Sequence, residues 1–346
     1  MDVLNVAYDK YLMCLGVMHP SMYAAGIQNL SLFILLKIFV HGMHLPYSCL
    51  AWAWVLAIYI AGFSKFLISY KHHCVQRSLQ PLSAEAFKHW GVFLKLGAPG
   101  CAMVCAEWWA FELLTIMASG RGTAAIAAQT IVAQTSGVSF MIPLGMSIST
   151  TSLVGNAIGA GDIKLAREIG TLSLLSIVSL ELIIGIALHF VGRRYDEQFS
   201  TDPVVLKLAI DTLPFLSVFV MLDGVQCVAA GICRGAGKQY IGAITSFTCY
   251  YFVGLPMAYY MCYHQNFDVK GLLMGISTGT FLQCLVFMYL LFYRYDFLYS
   301  KAKGVFKHLD VRGLSFYSDS EVCCDEEGRV EKTMAVTETT RLLNGV

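Results

Sequence analysis

Four carboxylate side chains stand inside long apolar stretches of the sequence. Glu107 and Glu112 lie in CAMVCAEWWAFELLTIMA, Glu181 in SLLSIVSLELIIGIAL, and Asp223 in FLSVFVMLDGVQCVAAG. A charged side chain at the centre of a bilayer helix costs about 2.5–3.5 kcal/mol on insertion scales, so carboxylates in such places usually have a function. Burial favours the protonated form of a carboxyl group, and a bound cation favours the ionised form. Acids in this setting can exchange a proton for a cation.

The surroundings of the four acids suggest different roles. We interpret Glu107 and Asp223 as exchanging groups, and Glu181, alone on an otherwise apolar helix, as a residue that makes an interhelical hydrogen bond without a transport role. Glu107 and Glu112 are separated by about 140° around a helix. Either both line a cavity wider than one helix stripe, or Glu112 faces a neighbouring helix. Trp108 offers an aromatic face that suits an organic cation.

The composition predicts a membrane protein. Of the 346 residues, 57% are hydrophobic and 14% are charged, against about 25% charged residues in soluble domains. The net charge of +1 leaves no basic excess for binding nucleic acid. No cofactor is indicated, because the two Gly-rich stretches, 154–161 and 231–237, lack the phosphate-binding pattern. We expect both stretches to be tight turns. No metal site is indicated, because no His cluster joins the close pair Cys323 and Cys324.

Runs of about 20 apolar residues predict membrane-spanning helices, so the predicted fold class is an all-α polytopic membrane protein with about eight spans. The predicted spans are His19–His41, Pro46–Tyr70, Phe93–Ala118, Thr123–Thr150, Ile169–Val191, Val204–Ile232, Tyr240–Tyr263 and Gly271–Tyr293. The loops on one side carry 12 Lys and Arg residues against 4 on the other. Because basic loops stay in the cytoplasm, this asymmetry predicts that both termini are cytoplasmic.

The span boundaries divide the chain into four predicted regions. Residues 1–70 hold the end of one helix and two spans, and residues 71–92 form a cytoplasmic linker. Residues 93–295 form a six-helix bundle. Residues 296–346 form a cytoplasmic tail that is rich in Ser, Thr, Asp and Glu, and we expect this tail to be largely disordered. The tail also carries an acidic dileucine pattern, a candidate sorting signal, at residues 338–343.

Five motifs follow one another along the chain. They are Glu107-Trp-Trp-Ala-Phe-Glu112, Met141-Ile-Pro-Leu-Gly145, Val154-Gly-Asn-Ala-Ile-Gly-Ala-Gly161, Arg234-Gly-Ala-Gly-Lys-Gln-Tyr-Ile-Gly-Ala243 and Tyr250-Tyr-Phe-Val-Gly-Leu-Pro256. In this order they resemble the animal-type members of the multidrug and toxin extrusion (MATE) family, over about residues 11–295. The resemblance implies a MATE-like fold of two six-helix lobes. Residues 93–295 resemble the complete second lobe and residues 1–70 the last two helices of the first, so the first three to four helices have no counterpart here.

The resemblance also implies a function. It indicates a secondary active transporter, not an enzyme, that exports organic cations, drugs and xenobiotics by antiport with protons or sodium ions across the plasma membrane or an endosomal membrane. Glu107, Glu112 and Asp223 fall on acids of the animal members, with Asp223 in place of Glu. Gln134 stands where mammalian members have a further Glu, and an amide cannot carry a proton. We expect these four residues and Trp108 to bind substrate and protons.

Other hypotheses stay open. The chain is a truncated, transport-inactive form, or it assembles into an oligomer because half a cavity would expose polar residues to lipid. A remote alternative is an intramembrane aspartyl protease, since Gly159-Ala-Gly-Asp162 fits a GxGD pattern and Tyr-Asp pairs occur at Tyr8-Asp9 and Tyr195-Asp196. The predicted turn at Asp162 opposes the protease, because it leaves no pair of aspartates at membrane depth.

Overall fold

A computed structural model of the chain describes residues 2–15, 17–42, 49–78 and 90–294. The regular structure within these ranges is helical throughout. The described residues separate into two compact units, residues 2–78 and residues 90–294. The predicted tail, the sorting pattern and half of the predicted linker lie outside the described residues.

The described part of the first unit contains four helices. They are α1 (Asp2–Cys14), α2 (His19–Leu36), which continues as a π-helical segment over Lys37–Gly42, α3 (Cys49–Tyr70) and the short α4 (His73–Ser78). Helices α2 and α3 pack against each other. Both bury alanines, namely Ala24, Ala53, Ala57 and Ala61. Small side chains let membrane helices approach closely, which compensates for the weak hydrophobic driving force in lipid.

The described part of the second unit contains five long helices and two short ones. They are α5 (Trp90–Ser119), α6 (Thr123–Gly159), α7 (Ile163–Asp196), α8 (Pro203–Gly235), α9 (Gln239–Phe247), α10 (Leu255–Tyr259) and α11 (Asp268–Phe292). Two π-helical segments, Thr248–Gly254 and Tyr260–His264, flank α10 and make one continuous span with α9. Helix α8 lies at the centre and packs against α6, α7 and α11.

Eight helical stretches of the described residues are long and apolar enough to cross a bilayer, which confirms the predicted fold class. The predicted spans are shorter than the central helices. Helices α6, α7 and α8 have 37, 34 and 33 residues, whereas about 20 suffice for the hydrocarbon core. The apolar pattern ends where the bilayer is expected to end, while backbone hydrogen bonding continues beyond it.

The prediction of tight turns at the two Gly-rich stretches is wrong for most of their length. Helix α6 runs to Gly159 and α8 to Gly235. Only the last glycines, Gly161 and Gly237, have positive φ values, of 81° and 70°. The earlier glycines serve helix packing instead: a Cβ added at Gly231 would lie 2.5 Å from Oγ of Ser147 on α6. Gly231 therefore lets α8 approach α6 closely.

Buried apolar side chains of the second unit form two clusters at different heights along the helices. On α8, residues 205–220 contribute to one cluster and residues 228–236 to the other. Polar side chains lie between the clusters on several helices. We call this set the polar layer: Glu107 on α5, Glu181 on α7, Asp223 and Gln226 on α8, and Gln283 on α11. The two clusters thus hold a group of polar residues halfway along the helices.

Candidate functional site

A cavity of about 360 Å³ lies within the second unit. The five residues predicted as site residues all line it: Glu107, Trp108, Glu112, Gln134 and Asp223. They come from α5, α6 and α8. The structure thus brings together residues that the sequence places far apart, and their roles in binding stay predictions.

Helix α5 forms a broad wall of this cavity. Glu107 and Glu112 both line it despite their angular separation, and Phe111 lies between them on the same wall. Glu107 is half-buried and Glu112 is exposed. Of the two arrangements left open by the sequence, the cavity wider than one helix stripe is the one observed.

The lining combines negative charge with aromatic faces. Three carboxyl groups line the cavity, and the described lining residues include no Lys, Arg or His. Trp108, Phe111, Phe140 and Phe219 supply aromatic rings, and the rings of Phe111 and Phe219 meet edge to face at 5.8 Å between centroids. Acids and aromatic faces together attract a cation that also has apolar surface.

The basic residue that acts on the site from outside its lining is Arg234. Its charge interacts with Glu107. Its Nη2 atom donates a hydrogen bond to Oγ of Ser147 at 2.7 Å, and this hydroxyl donates to the carbonyl oxygen of Cys227 at 2.6 Å. Arg234 is therefore held by α6 and leaves the carboxylates of the cavity without a direct ion pair from it.

Asp223 is the most deeply placed acid of the lining. Its exposed fraction is 5%, and its Oδ1 atom is buried with no hydrogen-bond partner among the described residues. Glu107 and Glu181 both lie near enough to interact with it electrostatically. A buried carboxylate without a partner is costly, so this group needs a proton or a cation.

Glu181 does not make the interhelical hydrogen bond that we expected, and that expectation is wrong. Its exposed fraction is 1%, and both carboxyl oxygens are buried with no hydrogen-bond partner among the described residues. The side chain lies against Gly224, where an added Cβ would be 2.5 Å from Cδ of Glu181. Gly224 has no side chain and therefore leaves space for the carboxyl group of Glu181. The apolar sequence around Glu181 gives no indication of this space.

Other lining residues escaped the sequence analysis. Gln129 is buried, and its Oε1 atom has no hydrogen-bond partner among the described residues. This amide in an apolar run gave the same signal as the carboxylates, so a search for all intramembrane polar residues would have found it. Phe111, Phe140 and Phe219 gave no signal, because aromatic residues are ordinary in bilayer helices.

The aspartates behind the protease hypothesis have structural contacts. Asp162 caps α7, since its Oδ1 atom accepts a hydrogen bond from the backbone N–H of Leu165 at 2.9 Å. Asp9 forms an ion pair with Lys65, and Asp196 accepts a hydrogen bond from Thr135 at 3.0 Å. The described residues also contain no group of three or more His, Cys, Asp and Glu side chains placed to hold a metal ion.

Comparison with known proteins supports the resemblance. Residues 99–260, which include most of α5 and the whole of α6, α7 and α8, match the family model described as MatE. This segment belongs to the MATE family. All five predicted site residues lie within the matched segment.

Two MATE relatives illustrate the match. The chain is 31% identical over 274 residues to an uncharacterised transporter of Schizosaccharomyces pombe, covering 79% of this chain and 51% of the relative. It is 30% identical over 279 residues to multidrug and toxin extrusion protein 1 of Homo sapiens, covering 81% and 49%. The chain spans about half the length of these curated relatives. They are transporters, not enzymes, which opposes the protease hypothesis.

Solved MATE structures share the fold. The eukaryotic MATE transporter AtDTX14 superposes with a TM-score of 0.75 at 22% identity, over 84% of this chain and 64% of that one. The Vibrio cholerae MATE transporter VcmN gives a TM-score of 0.73 at 16% identity, over 86% and 67%. The MATE-like fold predicted from the sequence is confirmed.

Proposed function

We propose that this chain provides the site at which a MATE transporter exchanges organic cations for protons. The observation that carries this proposal is the cavity in which Glu107, Glu112 and Asp223 meet aromatic rings without a lining Lys, Arg or His among the described residues. Its volume of about 360 Å³ lies in the range of small-molecule sites. A small organic cation fits both the charge and the size.

The exchange follows from the electrostatics of the acids. Without a cation, Asp223 and Glu107 hold protons, because the described residues that line the cavity include no Lys, Arg or His to pair with them. An arriving organic cation favours the ionised carboxylates, so the protons leave. Trp108, with 57% of its surface exposed, offers its ring face to the same cation. When protons return, the carboxyl groups become neutral and the cation is released.

The first experiment measures uptake of tetraethylammonium into vesicles that contain this chain, with and without an imposed pH gradient. We expect gradient-dependent uptake, and we expect Glu107→Gln to abolish it because an amide cannot exchange a proton. The control is Glu168→Gln on α7, which removes an exposed carboxylate outside the cavity. Uptake by this control should equal that of the unaltered chain.

A second pair of variants tests the aromatic contribution. Trp108 lines the cavity, whereas its neighbour Trp109 is exposed and is not among the lining residues. Trp108→Leu should weaken tetraethylammonium uptake several-fold, by loss of about 1–2 kcal/mol of cation–π attraction. Trp109→Leu should leave it unchanged. Equal effects of the two substitutions would contradict the role given to Trp108.

The same vesicles separate this proposal from the alternatives. Uptake driven by a sodium gradient and not by a pH gradient would replace the proton by sodium as the coupling ion. Uptake no greater than that of protein-free vesicles, from protein shown to be inserted, would favour a transport-inactive chain. If uptake appears only in vesicles that contain cross-linked assemblies of two or more copies, the oligomer hypothesis is supported.

We further propose the membrane arrangement that the charge asymmetry favours. Both termini lie in the cytoplasm, with residues 71–92 as the linker and residues 296–346 as the tail. The membrane that the chain spans is the plasma membrane or an endosomal membrane. A protease added to the medium of intact cells that express a C-terminally tagged chain should leave the tag intact. Loss of the tag without permeabilisation would contradict this orientation.

A further inference from the structure

The acid at Glu181 is not part of the cavity but lies close to it. It is not among the residues that line the cavity, whereas Asp223 is. Glu181 packs against Gly224, the residue next to Asp223 along α8. Asp223 also interacts electrostatically with Glu181. Asp223 therefore has the cavity on one side and a second, enclosed carboxyl group as a near neighbour.

The burial of Glu181 restricts its chemistry. Both of its oxygens are buried without a hydrogen-bond partner among the described residues, and one oxygen of Asp223 is in the same condition. Two neighbouring carboxylates that are both ionised repel each other and lack compensating cations, so a pair of this kind keeps one proton in common. A solely structural acid is normally hydrogen-bonded when buried. Glu181 lacks that explanation.

The groups around the pair leave its charge uncompensated. The titratable and charged groups that bear on it are Glu107 on α5, Cys227 on α8, Tyr250 in the π-helical segment and Cys284 on α11, with Arg234 acting through Glu107. Helix α6, which packs against α7 and α8, contains no titratable side chain. Apart from Arg234, none of these neighbours is a cation.

We propose that Glu181 is an additional proton-binding residue of the exchange site, which shares one proton with Asp223. When a cation reaches Asp223 from the cavity, the shared proton resides on Glu181 and Asp223 is ionised. When the cation leaves, the O–H bond of Glu181 breaks and a new one forms on Asp223, so the pair keeps a single negative charge. A further proton from water then neutralises Glu181. This proposal rests on the proposed function but concerns a residue outside the cavity.

The test uses the full chain purified in detergent and follows the infrared C=O band of protonated carboxyl groups against pH. Glu181→Gln should remove part of this band and should move the pH midpoint of the remaining buried signal to lower pH by about one unit or more, because the coupled neighbour is gone. Glu168→Gln is the matched control and should leave the buried band unchanged. An unchanged midpoint in Glu181→Gln would overturn the proposal, since a neutral, purely structural Glu181 has no charge to lose.

A second variant covers the case in which Glu181→Gln does not fold. Gly224→Ala keeps both acids but adds a Cβ 2.5 Å from Cδ of Glu181, so the carboxyl group must move away from residue 224, which changes its coupling to Asp223. It should shift the midpoint in the same direction as Glu181→Gln. In a Glu181→Ala background the same change should have no further effect, because the two sites are then uncoupled. A Gly224→Ala midpoint equal to that of the unaltered chain would overturn the proposal.

The infrared titration needs no transport, so the two proposals fail independently. If the midpoint shifts but vesicles show no pH-driven uptake, the shared proton stands and the proposed function fails. If uptake is pH-driven but the midpoint is unmoved in both variants, the proposed function stands and Glu181 has no part in it.

Discussion

The two units of this chain treat buried charge in opposite ways. In the first unit, Lys65 on α3 has a side chain that is 8% exposed, and its Nζ atom lies 2.7 Å from Oδ1 of Asp9. The same oxygen accepts a hydrogen bond from Ser21 at 2.6 Å. In the second unit, Glu181 and Asp223 are buried with carboxyl oxygens that lack partners among the described residues. In the first unit the buried ammonium of Lys65 is thus paired with a carboxylate, whereas the buried carboxyl oxygens of the second unit have no such partner among the described residues.

The same contrast occurs within the second unit. At the start of α11, Asp268 forms an ion pair with Arg121, whose Nε atom donates to Oδ1 at 2.7 Å. This hydrogen bond raises the pKa of the Arg121 guanidinium above its ordinary value. Charges at the helix end are thus paired by the protein, whereas those of the polar layer are left to a mobile proton or cation. We infer that pairing marks structural charges and its absence marks exchangeable ones.

The largest effect is expected from Asp223→Asn. Transport of tetraethylammonium driven by a pH gradient should fall to the level of protein-free vesicles, while thermal stability in detergent stays equal or rises, because an amide removes an uncompensated buried acid. Asp211→Asn, an exposed acid on the same helix, is the control and should transport normally. If Asp223→Asn lowered the thermal stability and left transport intact, the contrast drawn between the two units would be contradicted.

Asp9→Asn should have the opposite profile in its own unit. It leaves the ammonium of Lys65 buried without its carboxylate, and we expect the free energy of unfolding to fall by about 1–3 kcal/mol. The partial exposure of Asp9, 39% of its side chain, keeps the loss below that of a fully buried pair. Denaturant unfolding in detergent measures it, with Lys10→Gln as the exposed control. A double variant, Asp9→Asn with Lys65→Met, should recover part of the loss; no recovery would mean that the pair is not the cause.

The smallest effect is expected from Arg121→Gln. The side chains of Arg121 and Asp268 are 25% and 40% exposed, and pairs of this kind contribute about 0.2–1 kcal/mol. Because the pKa of Arg121 is raised, its contribution is fully present below the ordinary Arg value and is lost only as pH rises through the raised one. The difference in unfolding free energy should therefore be constant around neutral pH and shrink with added salt. A loss as large as that of Asp9→Asn would contradict the ranking, with the exposed Arg194→Gln as control.

The sequence predicted the eight spans and the three acids of the cavity wall because both have local signals. Apolar runs of bilayer length reveal the spans, and Glu107 and Asp223 stand out against them. Helix ends were less predictable, as with α6 continuing to Gly159, because hydrogen bonding along a helix does not depend on lipid contact. The sequence pattern thus locates a helix in the membrane better than it locates its ends.

The environment of Glu181 could not be predicted for a different reason. Its neighbours along the chain are apolar, and its partners belong to another helix. That Gly224 provides the space for its carboxyl group depends on how α7 and α8 pack, which no single stretch of sequence specifies. The acid itself was visible in the sequence, whereas its position beside Gly224 and Asp223 became visible only in three dimensions.

The most direct measurement is proton release by the purified chain in weakly buffered detergent solution when tetraethylammonium is added. Unpaired carboxyl groups that exchange protons for cations should release protons on addition, and Asp223→Asn should release fewer while Asp211→Asn releases as many as the unaltered chain. Binding of the cation, measured in parallel by calorimetry, without any proton release would contradict the account. Equal release from Asp223→Asn and the unaltered chain would also contradict it, because the protons would then come from elsewhere.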